Sequence, residues 1–515
     1  MEKMARFIVP DTIRTNDLIS GIAGSFSVKK IRSASSRKQY CDTFDWRLQG
    51  NNLVLYRENR MYRLASLATG MVKAEAAWPS RKQLKFWGDL ADGPLRDILH
   101  QVLDMRALLP RAVTISRIRT MHILNRDAKT VMHVRLERYF LAGSPQKPIL
   151  TSLSLEPVRG YYKQFEEFRK YVAGLGLAPE NDNAMLIIYN AAGLAPGTYS
   201  TKLDIHLAAD QAASLAAVDI CKSQLHIMKQ NESGIMADID CEFLHDFRVA
   251  LRRTRAALSQ LKNLFAPEIT MRFKKELAVI GSMTNRLRDL DVYLLKRETY
   301  QAMLPAELRP KLDHLFTNLV AERRREYLRL TRKLKGPEYQ AIMTDWETFL
   351  QSYEPGNDRD GKNAGRPVLN LARKYIFKSY AKVIKQGRKM GEDAPDGELH
   401  RLRLNCKKMR YLLEFFSSLF PADRIGILVK HSKKLQENLG DFNDLFVQQK
   451  ALRDYLEKQV PKSSEAIDIA AAIGGLITNL SRKKQEVRQV FSETFKQFDH
   501  QENNRLFLEL FTDKH

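Results

Sequence analysis

His245 and His400 each begin a run of basic residues with the same spacing of charges. In both runs cations follow the histidine at the third, seventh, eighth and tenth positions, and the runs lie 400 − 245 = 155 residues apart. An α-helix turns by about 100° per residue, so the histidine and the cations at positions three, seven and ten share an arc of about 80°. Like charges this close repel one another. Each run therefore predicts a helix face that a negatively charged chain would stabilise.

Phosphate oxygens suit such a face chemically. Arginine presents a planar fork that binds two oxygens, and lysine presents a compact charge. We expect the histidines to hydrogen-bond a phosphate oxygen, with protonation favoured once the anion is bound. The residues predicted to bind the anion are the two histidines, the cations of both runs and one lysine further along the chain: His245, Arg248, Arg252, Arg253, Arg255, His400, Arg403, Lys407, Lys408, Arg410 and Lys434.

Other roles are open to these residues. A charged helix face is often merely solvated, and a histidine beside arginines is often a neutral hydrogen-bond partner; the repeated register argues against the first of these. A metal site would need the two runs to agree, but Cys241 and Glu242 precede His245 whereas only Asp396 precedes His400 comparably. Imidazole is a common metal ligand, yet the flanking cations oppose a metal ion. No metal ligand and no cofactor is predicted.

Asp289 and Asp444 lie equally far after the two histidines, since 289 − 245 and 444 − 400 are both 44. We expect these carboxylates to hold arginines in fixed conformations behind the binding residues, with acid–base chemistry as the alternative. Their shared interval extends the similarity between the two runs and predicts a tandem duplication. Two duplicated helical halves packed about a pseudo-two-fold axis would bring both basic faces to one groove.

The composition agrees with a polyanion-binding protein. The chain has 515 residues, with 84 Lys and Arg against 60 Asp and Glu, which gives a net charge of +24. Such an excess attracts polyanions. The four cysteines lack CxxC spacing, no secretory leader is evident, and no apolar run reaches the ~18 residues of a membrane span. These features predict a cytoplasmic protein that does not enter a membrane.

The chain divides by pattern into two regions. Residues 1–180 contain short runs rich in β-formers with two helical stretches and predict an α+β domain. Residues 181–200 contain turn-forming residues and are expected to be a linker. Residues 201–505 have long helical periods and predict an all-α domain. A Gly-, Asn- and Asp-rich stretch separates its two repeats, one at about 206–350 and the other at about 366–505.

The helical region resembles the CHAD domain. That family has a His-x-x-Arg-Val-x-x-Arg-Arg-x-Arg helix, an Arg-Asp-x-Asp-Val segment, a second histidine helix and a Leu-Gln-x-x-Leu-Gly segment before a distal aspartate. These motifs match residues 245–255, 288–292, 400–411 and 435–444. The resemblance implies two pseudo-symmetric four-helix bundles that bind inorganic polyphosphate in a basic channel between them.

The first region resembles, more faintly, the CYTH or triphosphate-tunnel family, an antiparallel barrel that often precedes CHAD. Residues 40–45 and 155–160 are similar to two of its segments. The family's opening Glu-x-Glu-x-Lys falls on Glu2, Met4 and Arg6. One late glutamate becomes Ser154, and the Arg-x-Arg strand becomes Leu55 and Arg57. Because metal-assisted triphosphate hydrolysis needs those carboxylates, the resemblance implies a degenerate, inactive tunnel.

Three classes of function remain. The favoured hypothesis is a non-catalytic protein that binds inorganic polyphosphate and accompanies polyphosphate granules. The enzymatic alternative is a triphosphatase or other phosphohydrolase in the first region. The third is nucleic-acid binding, which the net charge alone suggests. Single-strand binders interleave aromatic residues for base stacking, and the two basic faces lack them. The oligomeric state is not determined by the sequence.

Overall fold

A computed structural model describes residues 4–144, 146–179, 183–391, 394–459 and 466–512 of the chain. The chain forms two compact units, Met1–Ser200 and Thr201–His515. The first unit is an antiparallel sheet with helices, and the second is helical. The predicted fold class, an α+β domain followed by an all-α domain, is confirmed.

In the described part of the first unit, nine strands form one antiparallel sheet in the order β5-β4-β3-β2-β6-β7-β8-β1-β9. The central strands β2 and β6 are long enough to pair with neighbours on both sides. The strands are β1 (Ala5–Ile8), β2 (Ser27–Asp42), β3 (Leu53–Glu58), β4 (Met61–Ser66), β5 (Val72–Ala77), β6 (Leu109–Leu124), β7 (Thr130–Leu141), β8 (Leu150–Pro157) and β9 (Ala178–Pro179).

Five helices accompany the sheet, namely α1 (Thr15–Ser25), α2 (Arg47–Gly50), α3 (Pro94–Leu103), α4 (Tyr162–Gly174) and α5 (Asn183–Ala191). Apolar residues of α1 and α4 pack on β6, β7 and β8, whereas those of α2 and α3 pack on β3 and β4. Helix α5 lies in the segment expected to be a linker. Its Ile188 and Tyr189 are buried against Trp46 and Val54, so this part of the segment belongs to the packed unit.

The second unit contains α6 (Ala213–Met236), α7 (Cys241–Gln260), α8 (Pro267–Leu295), α9 (Arg297–Ala302), α10 (Asp313–Leu334), α11 (Pro337–Gln351), α12 (Val368–Gly387), α13 (Asp396–Phe415), α14 (Ala422–Gln459), α15 (Ala466–Phe498) and α16 (Gln501–Phe511). Among the described helices of the chain, none is both long and apolar enough to cross a membrane.

The 155-residue interval holds for the helices themselves. Helices α6, α7 and α8 begin at residues 213, 241 and 267, and α12, α13 and α14 begin at 368, 396 and 422. Each difference is 155, so the backbone repeats without a net insertion through three consecutive helices. The copies differ further on: repeat one breaks between α8 and α9 at Lys296, where α14 of repeat two continues unbroken.

The histidine helices follow from amphipathic sequence and local capping. The carboxylate of Asp240 accepts hydrogen bonds from the backbone N–H groups of Glu242 and Phe243 at 2.9 and 3.3 Å, which caps the start of α7. Behind the cations, α7 buries Phe247, Leu251 and Leu258, and α13 buries Leu402, Met409 and Leu413. Their basic sides therefore face away from the apolar cores, as an amphipathic helix requires.

The two repeats also share a core. Leu290, Tyr300 and Leu315 of repeat one pack with Leu452 and Leu476 of repeat two. The Tyr300 hydroxyl donates to Gln448 Oε1 at 2.7 Å inside this core. Buried hydrogen bonds of this kind fix the alignment of the elements that make them, so the repeats are held in one relative position.

Candidate functional site

Helices α7 and α13, which carry the two basic runs, lie against each other. Arg253 of α7 donates to Glu414 Oε2 of α13 at 3.3 Å and to the carbonyl oxygen of Thr201 at 2.6 Å. Both side chains of this ion pair are largely shielded from solvent. Arg253 therefore joins the two helices, although the sequence predicted it as an anion ligand.

Cations from both repeats form one cluster at this contact, which we call the central cluster: Arg248, Arg252, Arg255, Arg403, Lys407 and Arg410. Burial, followed by the charges of Arg252, Arg403 and Arg410, lowers the pKa of Lys407 to about 7. Burial likewise lowers the pKa of Arg252. Tyr411 acts in the opposite direction, whereas the charges of Arg288 and Arg403 lower this pKa further. Since these influences cross between the repeats, the two basic rows meet.

Repeat one holds its arginines rigidly from α8. Arg248 Nη1 donates to Thr284 Oγ1 at 2.6 Å, to Asn285 Oδ1 at 2.8 Å and to the carbonyl of Gly281 at 3.4 Å. Burial, followed by the charge of Arg252, lowers the pKa of Arg248 to about 10. A Cβ at Gly281 would lie 3.1 Å from Arg255 Nη1, so the glycine lets that guanidinium approach α8 closely.

The histidines occupy equivalent positions with different partners. Arg288 Nη2 lies 2.8 Å from His245 Nδ1, and Asn443 Oδ1 lies 2.7 Å from His400 Nδ1. Arg288 and Asn443 are themselves 155 residues apart. A guanidinium only donates, so His245 Nδ1 accepts and its ring carries a single proton, on Nε2. The hydrogen bond from Arg288 therefore opposes protonation of His245, and its protonation state with an anion bound stays a prediction.

The two aspartates lie near arginines, as expected of supporting groups. The pKa of Asp289 is raised by burial, while Arg248, Arg286 and Arg288 act in the opposite direction. Asp444 Oδ1 lies 4.0 Å from Arg403 Nη2. This placement suits electrostatic support of the arginines.

Two of the predicted ligands lie on other surfaces, and one member of the central cluster is held by neighbouring side chains. That member is Arg410, whose Nε donates to Gln436 Oε1 at 2.7 Å and whose guanidinium also contacts Glu414. Lys408 lines a groove between α12 and α13. Lys434 donates to Gln497 Oε1 at 2.6 Å in a depression formed by α14 and α15. The central cluster is therefore smaller than the predicted set.

Sequence reasoning missed the α8 and α14 residues that position the ligands: Gly281, Thr284, Asn285, Arg288, Gln436 and Asn443. Arg288 and Asn443 were detectable as equivalent positions next to Asp289 and Asp444. Because these two side chains differ, the sequence did not indicate that each contacts the histidine of its own repeat. Thr284 and Asn285 carry no charge pattern, so their role appears only once α7 and α8 are packed.

The first unit encloses a separate cavity of about 620 Å³ among its strands. Met4, Arg6, Ser154 and Glu156 line it, whereas Glu2 lies outside the described residues. Strand alternation places Tyr56 and Glu58 on the cavity wall. The neighbouring Leu55 is buried in the core on the other face of β3, and Arg57 donates to the carbonyl of Ser80 there at 2.7 Å.

Two of the three glutamates that line the cavity, Glu58 and Glu137, are already in ion pairs. Glu137 contacts Lys38 at 3.0 Å and Arg135 at 2.8 Å, and Glu58 contacts Arg63 at 2.7 Å. In the described residues, no group of three or more His, Cys, Asp or Glu side chains is placed to hold a metal ion. Asp42, within the segment similar to CYTH, instead accepts backbone hydrogen bonds at the start of α2. Burial raises its pKa to about 6.

Comparison with known proteins identifies the helical unit. Residues 219–453 match the family model of the CHAD domain. The structure is similar to a crystal structure of the CHAD domain from the plant Ricinus communis, with 22% identity, a TM-score of 0.48, and coverage of 58% of this chain and 97% of that one. PptA from Streptomyces chartreusis is similar at 16% identity and a TM-score of 0.42, covering 56% and 100% respectively.

No curated protein sequence matches the chain. The family match spans both histidine helices and the segments that support them, from α6 into α14. The protein therefore contains a CHAD domain, preceded by an antiparallel-sheet domain consistent with a CYTH-like barrel.

Proposed function

We propose that the helical unit binds inorganic polyphosphate, without catalysis, along the central cluster between α7 and α13. The observation that supports this most is the meeting of two basic rows, one from each repeat, in a half-buried cluster. Burying like charges together costs free energy unless counter-charges accompany them. A chain of phosphates would supply those charges and restore full protonation of Lys407.

The chemistry of the cluster favours phosphate over nucleic-acid bases. Arg252 Nε is buried with no hydrogen-bond partner among the described residues, which is a donor that a phosphate oxygen would satisfy. The centroid of the Tyr411 ring lies 5.9 Å from Lys407 Nζ and 5.5 Å from Arg410 Cζ. This ring is buried, so it is not available to stack on a base. Binding would therefore depend on phosphate charge alone.

Charge reversal in the cluster tests the proposal. The double variant Arg252→Glu with Lys407→Glu is expected to lose retention on a polyphosphate resin at moderate salt while keeping its helical circular dichroism. The matched control, Lys274→Glu with Lys275→Glu on the exposed side of α8, changes the net charge equally and is expected to bind normally. Retention of the cluster variant equal to that of the control would refute the central site.

Binding of this kind suggests a location for the protein. A non-catalytic polyphosphate-binding protein would accumulate where polyphosphate is stored, in granules of the cytoplasm. Fluorescent labelling of the intact chain would test this, with the Arg252→Glu, Lys407→Glu variant as the comparison. The variant is expected to be diffuse where the natural chain co-localises with a polyphosphate stain.

The cavity of the first unit supports a second candidate, a triphosphatase. The presence of this cavity is the observation that favours the enzymatic function. However, the glutamates of the cavity that are already in ion pairs leave less negative charge to hold a divalent metal ion. We expect no phosphate release when the full chain is incubated with tripolyphosphate and Mg²⁺ or Mn²⁺. Release that disappears in a Glu156→Gln variant would instead assign catalysis to this cavity.

A further inference from the structure

Helix α12 carries a second basic surface that the central cluster does not include. Lys374, Lys378, Lys382 and Lys385 of α12 are exposed, and so is Lys389 in the turn that follows the end of the helix at Gly387. At about 100° per residue the four helical lysines fall within an arc of about 80°. We call these five lysines the α12 lysine row. At a rise of about 1.5 Å per residue the helical part of the row, from Lys374 to Lys385, extends for about 16 Å. The row is therefore an extended line of positive charge along α12.

The row borders a groove between α12 and α13. Lys382, Lys385 and Lys389 line one side, and Arg401 and Lys408 line the other. Among the residues that the structure describes, no acidic side chain lines this groove. Asn405 Nδ2 donates to Gln386 Oε1 at 2.6 Å between the two sides, so a neutral hydrogen bond joins the helices there. In the described part of the chain, the five lysines of the row make no ion pair or hydrogen bond.

Repeat one has no counterpart of this row. Positions 155 residues earlier hold Asp219, Ser223, Ile227, Gln230 and Gly234. Helix α6 balances its charges, whereas α12 contains no Asp or Glu at all. Like charges four residues apart destabilise a helix. The duplicated fold therefore does not require the row. The presence of lysines that repel one another along α12 needs a separate explanation.

The row is distinct from the central cluster. On α13, the groove residues Arg401 and Lys408 lie roughly 140° around the helix axis from the face of Arg403, Lys407 and Arg410. Helix α12 packs on one side of α13 and α7 on another. A phosphate chain bound along the central cluster would therefore leave the groove unoccupied.

We propose that the α12 lysine row and its groove bind a second polyphosphate segment, so that one CHAD domain cross-links two stretches of polyphosphate. The identity of the anion rests on the proposed function, while the existence of the second surface does not. No aromatic side chain of the described residues lines the groove, so its lysines would recognise charge density and not bases. Adjacent phosphates of polyphosphate share an oxygen, so its charge density exceeds that of a nucleic-acid strand, where a sugar separates them.

Two separated binding surfaces have a measurable consequence. A polyphosphate too short to reach both surfaces should bind as two chains per protein, and a long one should join proteins into large assemblies. The full-length variant Lys378→Glu, Lys382→Glu, Lys385→Glu is expected to bind one short chain, in isothermal titration, and to lose the turbidity that long polyphosphate produces. The control Lys274→Glu, Lys275→Glu, Lys335→Glu changes the net charge equally and should behave like the natural protein.

The two proposals fail in different ways. Unchanged stoichiometry and turbidity in the row variant would overturn the second surface while leaving the central cluster intact. Two chains bound by the Arg252→Glu, Lys407→Glu variant would overturn the central cluster instead. Tighter binding of a single-stranded oligonucleotide than of polyphosphate at the row would overturn the identity of the anion. A neutral variant, with the same three lysines changed to Gln, checks folding, since removing repulsion should not lower its melting temperature.

Discussion

Lys407 links the charge of the central cluster to pH. Its pKa in the folded protein is about 7, below the ordinary lysine value, because of burial and the neighbouring cations. A bound polyanion would raise this pKa, so binding takes up a proton wherever the pH lies between the free and bound values. Affinity for polyphosphate should therefore fall as the pH rises above about 7.

The test is titration of polyphosphate binding from pH 6 to 9 in buffers of different ionisation enthalpy. The natural chain should show proton uptake above about pH 7. The Lys407→Arg variant keeps its charge throughout this range and should lose that part of the pH dependence. An equally steep decline in the variant would assign the effect to another group.

His245 gives a prediction about protonation. Because Arg288 donates to Nδ1, the ring should hold its proton on Nε2 and remain neutral when polyphosphate binds. Nitrogen chemical shifts of the labelled ring would report this tautomer directly. In Arg288→Ala the donor is gone and Nδ1 becomes able to take a proton. A doubly protonated His245 in the natural complex would contradict the hydrogen bond.

Sequence analysis predicted which residues meet in the central cluster better than it predicted the contacts that each of them makes. The spacing of Arg252 and Lys407 placed each of them on the basic face of its helix, because helical geometry alone determines that face. Arg253 lies outside that arc, and packing against Glu414 made it an interhelical partner. Such pairings depend on residues 161 positions apart, so local spacing does not reveal them.

At the level of elements, α12 and α15 meet at a glycine. A Cβ on Gly387 would fall 1.9 Å from the ring of Phe495, which is itself buried. Overpacking of this kind costs about 1–3 kcal/mol, more than the gain of at most about 1 kcal/mol when alanine replaces glycine in a helix. Gly387→Ala should therefore lower the midpoint of thermal unfolding.

Gly474→Ala is the matched control, since that glycine lies within α15 with no atom near the new methyl group. It should leave the midpoint unchanged or raise it. Both are measurable by circular dichroism at a helical wavelength. A Gly387→Ala protein as stable as Gly474→Ala would mean that Phe495 shifts at little cost.

The elements themselves were largely predictable. Long amphipathic periods indicated α7 and α13, and β-rich runs indicated β3, β6 and β7. Helix α5 was not predicted because Gly193 and Pro196 made its segment resemble a linker. The break at Lys296 was also missed, since neither proline nor glycine occurs there. Tertiary packing determines both the formation of α5 and the helix break at Lys296.

At the level of the whole molecule, affinity should depend strongly on salt. Each cation–phosphate contact on a single nucleic-acid strand contributes about 0.7 to the slope of log affinity against log salt. Neutral substitution of Arg252 and Lys407 by Gln should then reduce the slope for short polyphosphate by about 1.4. Titrations at several salt concentrations would measure it. A lower affinity with an unchanged slope would indicate lost packing in place of lost phosphate contacts.

Duplication was the most reliable large-scale prediction because three pairs of helices keep the same interval. The comparison of the two repeats does not itself reveal the α12 lysine row, because it finds what the copies share and the row is present in only one of them. Net charge signalled an excess of cations, but not that one repeat carries a whole row without a counterpart.

The break at Lys296 bears on the ancestry of the domain. Burial lowers the pKa of Lys296, and Asp444 and Asp441 of the other repeat oppose that change. A gene fusion of two identical halves would have begun as a symmetric pair, with the same residues on either side of the axis. Here the two halves differ at Lys296, whose charge faces carboxylates of the other half, so two copies of a single half would no longer rebuild the present protein.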